Sequence, residues 1–278
     1  LSQKRPAAGG EARERASFSF HRKECPMTKM LRVGCALRAR GKRLLMQTHF
    51  GVGICYGKFI TSKEKRSKAM RITLKDGSVK EYAQPMSVLD VAKDLSEGLA
   101  RVACAGEVDG EAVDLRTVLE EDCSLNILTA KDEKGLAALR HSASHVMAQA
   151  IKRLYPSAKL AIGPSIADGF YYDMDFENPI TAEDLEKIEA EMKKIVKEAL
   201  PIERFTLPRE EAIAFMKEKE EPYKVELIED LPEGEEISFY KQGEFTDLCA
   251  GPHLMSTKDI GKAYKLMSIA GAYWRGDE

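Results

Sequence analysis

The sequence is poor in histidine and tryptophan, and it lacks both paired cysteines and long apolar runs. Its six cysteines fall at irregular spacings without a CxxC pair, which argues against a disulfide framework or a zinc ribbon and favours a reducing compartment. No apolar stretch approaches the ~20 residues that a membrane-spanning helix needs. A glycine-rich, phosphate-binding loop is also lacking. We therefore expect a cytoplasmic protein that does not bind membranes.

Acidic residues are scarce in the first 69 positions, which hold 17 Lys and Arg, four Glu and no Asp, a balance of +13. Residues 70–278 have the opposite balance of −15, so the net charge of −2 conceals two unlike parts. Residues 1–69 begin at Leu1 and show no sustained periodicity, and we expect a disordered, non-native or leader-like segment with Met70 as the natural start. Translated upstream sequence, an organellar leader and a basic nucleic-acid-binding arm all stay open.

Residues 70–131 have the pattern of a small β-rich domain. MRITL and VKEYA alternate on either side of Asp76-Gly77, which predicts a hairpin with a tight turn. Ser87 is placed to cap a helix that we expect to end at Gly98. The remaining segments with strand character are 101–105, 111–115 and 125–129. A hairpin, a helix across it and further strands together indicate a ubiquitin-like β-grasp fold.

Residues 132–268 alternate helical and strand patterns, as expected of an α+β domain with helices packed on an antiparallel sheet. Apolar positions recur at helical spacing from Leu136 to Leu154, and Thr181 with Asp184 has capping-box spacing before a second amphipathic helix. A third helix is predicted at 209–218. The predicted strands are GFYYDMDF, 224–228, 237–240 and 244–249.

Two short spacings concentrate the chemistry of this chain, because three of its five histidines lie in them. His141 and His145 are four apart on a predicted helix, so they project from one side. Cys249 and His253 flank Gly251-Pro252, a turn that can bring the two side chains together. Either unit alone is as readily explained by surface histidines or a buried cysteine. Their joint occurrence favours a catalytic or metal-binding site.

From Met70 onward the chain resembles the N-terminal part of bacterial threonyl-tRNA synthetase. The resemblance rests on TAKDEKGLAALRHSASH, AIGPSIADGFYYD, EEPYKVE, TDLCAGPH and AGAYWRGDE, which occur in family order. It implies a TGS domain of β-grasp type at 70–131, a tRNA-editing domain at 132–268, and the start of a linker at 269–278. The family's catalytic domain, with its ATP and zinc, and its anticodon-binding domain would follow. Homodimerisation is implied for the full-length protein only.

The resemblance implies hydrolysis of serine mischarged on tRNA(Thr), whose acceptor end would be the partner of this chain. It assigns the catalytic set to His141, His145, Lys224, Cys249 and His253, with no metal. His141 and Lys224 would orient or activate water, while His145 and His253 would position the nucleotide.

Substrate contacts are implied for Tyr172 and for Asp247, which would hold the seryl group together with Cys249. Without the resemblance, Lys224 and Asp247 would be read as exposed charges and Tyr172 as a core residue.

Two alternatives stay open. The three histidines and the cysteine are a complete zinc ligand set, as in the similar editing domain of alanyl-tRNA synthetase, although a nearby lysine opposes a cation. The chain could instead be an RNA-binding or regulatory module without activity. Its acidic balance predicts weak, salt-sensitive tRNA affinity, and the candidate phosphate-binding residues are Lys152, Arg153, Lys159 and Lys224.

Overall fold

The computed structural model describes residues 69–262 and 264–271. The predicted basic segment 1–69 lies, apart from its last residue, outside the described residues. The same holds for most of the predicted linker 269–278. The domain boundaries proposed from the sequence stay predictions.

The first part of the described chain is a mixed β-sheet crossed by a helix. Its elements are β1 (Met70–Leu74), β2 (Val79–Tyr82), β3 (Met86–Ser87), α1 (Val88–Leu95), α2 (Glu97–Val102), β4 (Ala103–Val108), β5 (Glu111–Val113), β6 (Val118–Leu119) and β7 (Cys123–Thr129). The main sheet has the order β2-β1-β7-β4-β5, with β1 parallel to β7 and the other pairs antiparallel. Val88 and Val91 of α1 pack on Ile72 and Leu125 of the sheet. This is the β-grasp arrangement that the sequence predicts.

The helix that crosses this sheet begins as predicted but ends earlier. The Ser87 hydroxyl accepts the Asp90 N–H, so it caps α1. Ser96 then caps a second helix, α2, by accepting from the N–H groups of Gly98 and Leu99. The predicted stop at Gly98 is therefore wrong, and the predicted strand at 101–105 begins only at 103, because a second serine cap restarts the helix.

The second part combines four helices with short strands and one three-stranded sheet. Its elements are α3 (Glu133–Leu154), β8 (Lys159–Leu160), β9 (Ser165–Ile166), β10 (Gly169–Phe170), β11 (Met174–Asp175), α4 (Ala182–Glu198), β12 (Ile202–Thr206), α5 (Arg209–Glu218), α6 (Pro222–Asp230), β13 (Ser238–Gln242), β14 (Phe245–Leu248) and a 3-10 turn (Thr257–Ile260). The antiparallel sheet has the order β12-β13-β14. The predicted α+β class is confirmed.

Two hydrophobic clusters hold the second part together. Helices α5 and α6 pack on the antiparallel sheet, with Met216 and Ile228 against Phe239. Helix α3 packs along α4 through Val146 and Ile188. The predicted capping box at Thr181 and Asp184 is present and opens α4. Both long helices thus present one apolar side to the core, which leaves other sides of α3 free to carry polar groups.

Two strand predictions in this part are wrong. Residues 224–228 lie in α6, because Pro222 occupies the first helical turn and Lys224, Val225 and Ile228 share its buried face. The alternation of K-V-E-L-I fits either a strand or one helical face. The run GFYYDMDF is not one strand, since β10 pairs with β9 and β11 with β8.

Within the described part of the chain, no helix combines the length and the apolar character needed to cross a bilayer.

Candidate active site

Helix α3 carries two candidate histidines, His141 and His145, on one side. Four positions separate them, about one helical turn, and their ring centroids lie 5.2 Å apart. His145 has only 2 % of its surface exposed, whereas His141 is partly buried. His141 therefore keeps access to solvent while His145 lies deeper.

The loop after β14 supplies the second pair of side chains. Gly251 turns the chain with a φ of 81°, and a Cβ there would lie 2.1 Å from the Tyr240 hydroxyl oxygen, so only glycine fits. The Gly251 N–H donates to the Cys249 Sγ at 3.3 Å. As expected from the Gly-Pro turn, His253 comes back beside Cys249, with Nε2 3.2 Å from Sγ.

The two units meet in one cluster of four metal-ligating side chains. The Cys249 Sγ lies 3.3 Å from the His141 Nε2 as well, and the His253 ring stacks near those of His141 and His145 at centroid distances of 4.2 and 4.1 Å. One donor atom from each of the four residues lies within 4.8 Å of the others. Donor atoms of a tetrahedral zinc site lie about 3.5 Å apart. The cluster therefore fits a metal ion as well as a network of hydrogen bonds.

A buried ion pair borders the cluster. Lys224 on α6 and Asp247 on β14 are 3 % and 2 % exposed, and the Lys224 Nζ lies 2.7 Å from the Asp247 Oδ1. The Tyr172 hydroxyl donates to Asp247 and accepts from Lys224 at 2.9 Å, while the His145 Nε2 is 3.5 Å from the Asp247 Oδ2. Burial raises the pKa of Asp247, but the attraction of Lys224 and His145 and the hydrogen bonds outweigh it and lower that pKa. Asp247 is an ionised carboxylate at neutral pH.

The four clustered groups are uncharged at neutral pH. Burial lowers the pKa of His145 to about 3, and it also lowers the pKa values of His141 and His253. Burial raises the pKa of the Cys249 thiol to about 12. Neutral imidazoles can accept a proton, whereas a protonated thiol is a poor nucleophile. Cys249 is therefore not suited to attack by sulfur, and His141, the histidine of the cluster that keeps solvent access, is the group placed to accept a proton from water.

Ser142, which sequence reasoning missed, fixes the orientation of one ring. Its hydroxyl donates to the Ala138 carbonyl at 2.9 Å and accepts the Leu254 N–H at 2.9 Å. The same hydroxyl lies 3.2 Å from the His253 Nδ1, while the other ring nitrogen of His253, Nε2, faces Cys249. The sequence signal that could have identified Ser142 is its position between His141 and His145 on the same helix.

Two further residues missed by sequence reasoning come from the β-grasp part. Asp114 and Arg116 contact the backbone of the loop that carries His253. No motif marks them. By contrast, the structure brings together all the residues that the sequence and the resemblance singled out, which are His141, His145, Tyr172, Lys224, Asp247, Cys249 and His253.

The basic residues considered for phosphate binding are all engaged with carboxylates. The pairs are Lys152 with Glu221, Arg153 with Glu191, Glu198 and Glu244, Lys159 with Glu220, and Lys224 with Asp247. Their charge is largely compensated within the protein, so they do not form a free basic patch.

Two known domain families match segments of the chain. Residues 70–129 match the TGS domain, and residues 237–278 match the second additional domain of threonyl and alanyl tRNA synthetases. The second match contains Asp247, Cys249 and His253.

Similar full-length proteins are threonine–tRNA ligases of bacteria. The chain is 67% identical over 209 residues to that of Acetivibrio thermocellus and 63% identical over 209 residues to that of Clostridioides difficile. It is 60% identical over 211 residues to that of Caldanaerobacter subterraneus subsp. tengcongensis. These matches cover 75–76% of this chain and 33% of each relative. The chain thus spans about a third of the length of these relatives.

Proposed function

We propose, from the likeness to the N-terminal third of threonine–tRNA ligases, that this chain carries their proofreading part and hydrolyses serine mischarged on tRNA(Thr). The observation that supports this most is the convergence of the HxxxH and CxxxH units with a buried Lys224–Asp247 pair. For the full-length protein we propose ATP-dependent threonylation of tRNA, with the synthetic and anticodon-binding domains as partners and a homodimer as the assembly. A cytoplasmic location is part of the same proposal.

The need for hydrolysis follows from the size of the difference between the two amino acids. Serine lacks one methyl group of threonine and keeps the hydroxyl, and a methyl group discriminates by only ~1–3 kcal/mol in a binding pocket. A second site that admits only the smaller ester corrects the resulting errors. We propose that Tyr172 and the Asp247 carboxylate line this pocket.

Burial divides the roles among the clustered residues. His141 and Cys249 are the two members that keep solvent access, so we propose that the neutral His141 imidazole orients or deprotonates the attacking water. His145 and His253 are almost fully buried. This burial favours a role for His145 and His253 in holding His141 and Cys249. The resemblance had instead implied that they position the nucleotide.

Charge development in the reaction explains why an ion pair borders the site. Attack on the ester places negative charge on the former carbonyl oxygen, and a cation or aligned donors lower the barrier. Lys224 lies beside the cluster through its pairing with Asp247, whose Oδ2 in turn lies 3.5 Å from the His145 Nε2. We propose that Lys224 stabilises this charge and that Asp247 receives the seryl hydroxyl or amine.

We propose that the hydrolysis needs no resident metal, because hydrogen bonds within the site already satisfy the clustered groups. The argument from Lys224 against a cation is weak, since Asp247 neutralises it. If zinc bound, three of the four residues His141, His145, Cys249 and His253 would hold it, and the open fourth position would let it supply a Lewis acid and a polarised water. A zinc-dependent hydrolase is thus the second candidate, favoured by the four converging donors.

The test is deacylation of seryl-tRNA(Thr) and threonyl-tRNA(Thr) by the chain, with and without a chelator. We expect serine-selective hydrolysis that a chelator leaves unchanged and that His141→Ala and Cys249→Ala reduce. Cys123→Ala is the matched control, because this partly buried cysteine lies in β7, in the TGS part. Chelator-sensitive hydrolysis would support the zinc candidate, and no hydrolysis above background would leave an RNA-binding module.

A further inference from the structure

Two side chains of the TGS part (residues 70–129) contact the backbone of the loop that carries His253, here called the editing loop. They lie in the connection between β5 and β6, 137 to 139 positions before His253 and Leu254. Asp114 accepts the N–H of His253 at 3.3 Å. Arg116 donates to the carbonyls of His253 at 3.4 Å and Leu254 at 2.8 Å, and also to that of Ile202.

Asp114 is a buried carboxylate, 7 % exposed, with both oxygens engaged. Its Oδ1 accepts from the Arg116 guanidinium at 2.6 Å and from the Arg116 N–H at 3.0 Å. Its Oδ2 accepts from the Tyr240 hydroxyl at 3.0 Å and from the backbone of His253. Charge-assisted hydrogen bonds of this kind are about twice as strong as neutral ones. The position of the Asp114 carboxylate is therefore fixed, and the loop that carries His253 is hydrogen-bonded to it.

The two residues hold the peptide groups on both sides of His253. Asp114 binds the N–H before the side chain, and Arg116 binds the carbonyl after it. From helix α3, Ser142 holds the His253 ring at Nδ1 and the next N–H, that of Leu254. The remaining freedom of the ring is small, so its Nε2 stays directed at Cys249.

We infer that Asp114 and Arg116 are positioning residues for the editing site, through which the TGS part sets the place of His253 and Cys249. The predicted effect on the deacylation rate rests on the proposed function. The predicted effect on the reactivity of the Cys249 thiol rests on geometry alone. Neither residue touches the reacting atoms. A misplacement of about 1 Å in such a cluster can lower a rate by ~10²-fold.

The same pair of domains has a second link that serves as a control. Lys134 of α3 donates to Glu107 of β4 at 2.5 Å and to the Gly110 carbonyl at 2.5 Å. This link also joins the TGS part to α3, but it makes no contact with the loop of His253. If only general attachment of the two parts matters, breaking either link has the same effect.

The experiment compares Asp114→Asn and Arg116→Lys with Glu107→Gln in the full chain. Asn keeps the shape of Asp114 but replaces one acceptor oxygen with a donor group, and Lys cannot fork between three carbonyls. The first measurement is the rate of alkylation of Cys249 by iodoacetamide, read by mass spectrometry with Cys123 as internal reference. We expect the alkylation rate of Cys249 to rise about tenfold in both loop variants, because the loss of one hydrogen bond to a charged group changes an equilibrium by about this factor. In Glu107→Gln the rate should not change.

The second measurement is steady-state deacylation of seryl-tRNA(Thr). We expect kcat to fall about tenfold in Asp114→Asn and Arg116→Lys with KM within about twofold, because the lost contacts orient the reacting groups without binding substrate. Thermal melting establishes whether each variant is folded. If one of the two loop variants does not fold, the measurements on the other loop variant test the inference.

The outcomes separate this inference from the proposed function. Unchanged alkylation of Cys249 in folded loop variants would overturn it, and so would an equal rise in Glu107→Gln. A chain that never hydrolyses seryl-tRNA refutes the proposed function, while the alkylation rates still decide the positioning role.

Discussion

The two parts of this molecule differ in how many polar groups they bury. The TGS part has an apolar core built from residues such as Ile72, Val88 and Leu125. The second part, Glu133–Ile260, which we call the editing part after its proposed function, holds twelve of the thirteen buried polar or charged residues found in the described chain. The one that lies in the TGS part, Asp114, hydrogen-bonds to the editing loop.

This difference suggests that the two parts serve different needs, stability in the TGS part and chemistry in the editing part. Apolar burial stabilises a fold by roughly 25 cal/mol per Å² without specifying a reaction. Buried polar groups are costly unless each one finds a partner, so their presence indicates a purpose other than stability. In the editing part some of these partners are themselves buried, since Lys224, Asp247 and Tyr172 contact one another. Substitutions in the two parts are therefore expected to have different signatures.

The largest expected effect comes from leaving a buried charge unpaired. Asp247→Asn removes the carboxylate that faces Lys224, and breaking a buried pair in this way costs ~3–5 kcal/mol. The free energy of unfolding, measured by urea denaturation, should fall by that amount. The double change Lys224→Met with Asp247→Asn should recover most of it. A double variant as unstable as the single one would show that packing, and not charge, dominates this part.

A cavity in the TGS core should lower stability without lowering activity. Ile72 is fully buried in β1, and Ile72→Ala is expected to cost ~2–5 kcal/mol of unfolding free energy. At temperatures where the variant is fully folded, kcat for seryl-tRNA deacylation should equal that of the wild type. A parallel loss of kcat would contradict the separation of the two parts.

Acidification should destabilise the editing part through its buried histidines. The folded-state pKa of His145 is about 3, below the ordinary 6.5, so between these values the unfolded chain binds a proton that the folded chain does not. Stability is then fully present above pH 6.5 and falls as the pH drops toward 3. From pH 7 to pH 5 this histidine alone accounts for about 2 kcal/mol.

The check is chemical denaturation at several pH values. His145→Gln should flatten the decline by about one proton, because glutamine does not titrate. A slope that the substitution leaves unchanged would mean that other groups govern the acid response.

The sequence predicted what depends on local pattern and missed what depends on distant contacts. The β-grasp hairpin and the capping box at Thr181 follow from turn and cap chemistry. The approach of His253 to Cys249 follows from four-residue spacing and a Gly-Pro turn. The burial of Lys224 could not be read from a charge-rich sequence, because its partner Asp247 is fixed only by the tertiary fold.

Asp114 and Arg116 show the same limit more strongly. Their contacts with the loop of His253 span 137 to 139 positions, and no local pattern marks either residue. The error at 224–228 has another cause, since a strand face and one side of a helix share that alternation.

The smallest expected effect lies on the surface of the TGS part. Lys80 and Asp94 form an ion pair at 3.1 Å with 44% and 45% of their side chains exposed. Solvent and salt screen such a pair, and the entropy of ordering the two side chains opposes it, so Asp94→Asn should lower the stability only slightly. The difference from wild type in urea denaturation should shrink further in 1 M salt. A loss comparable to that of Asp247→Asn would remove the contrast between the parts, because it would make surface charge as important as buried charge.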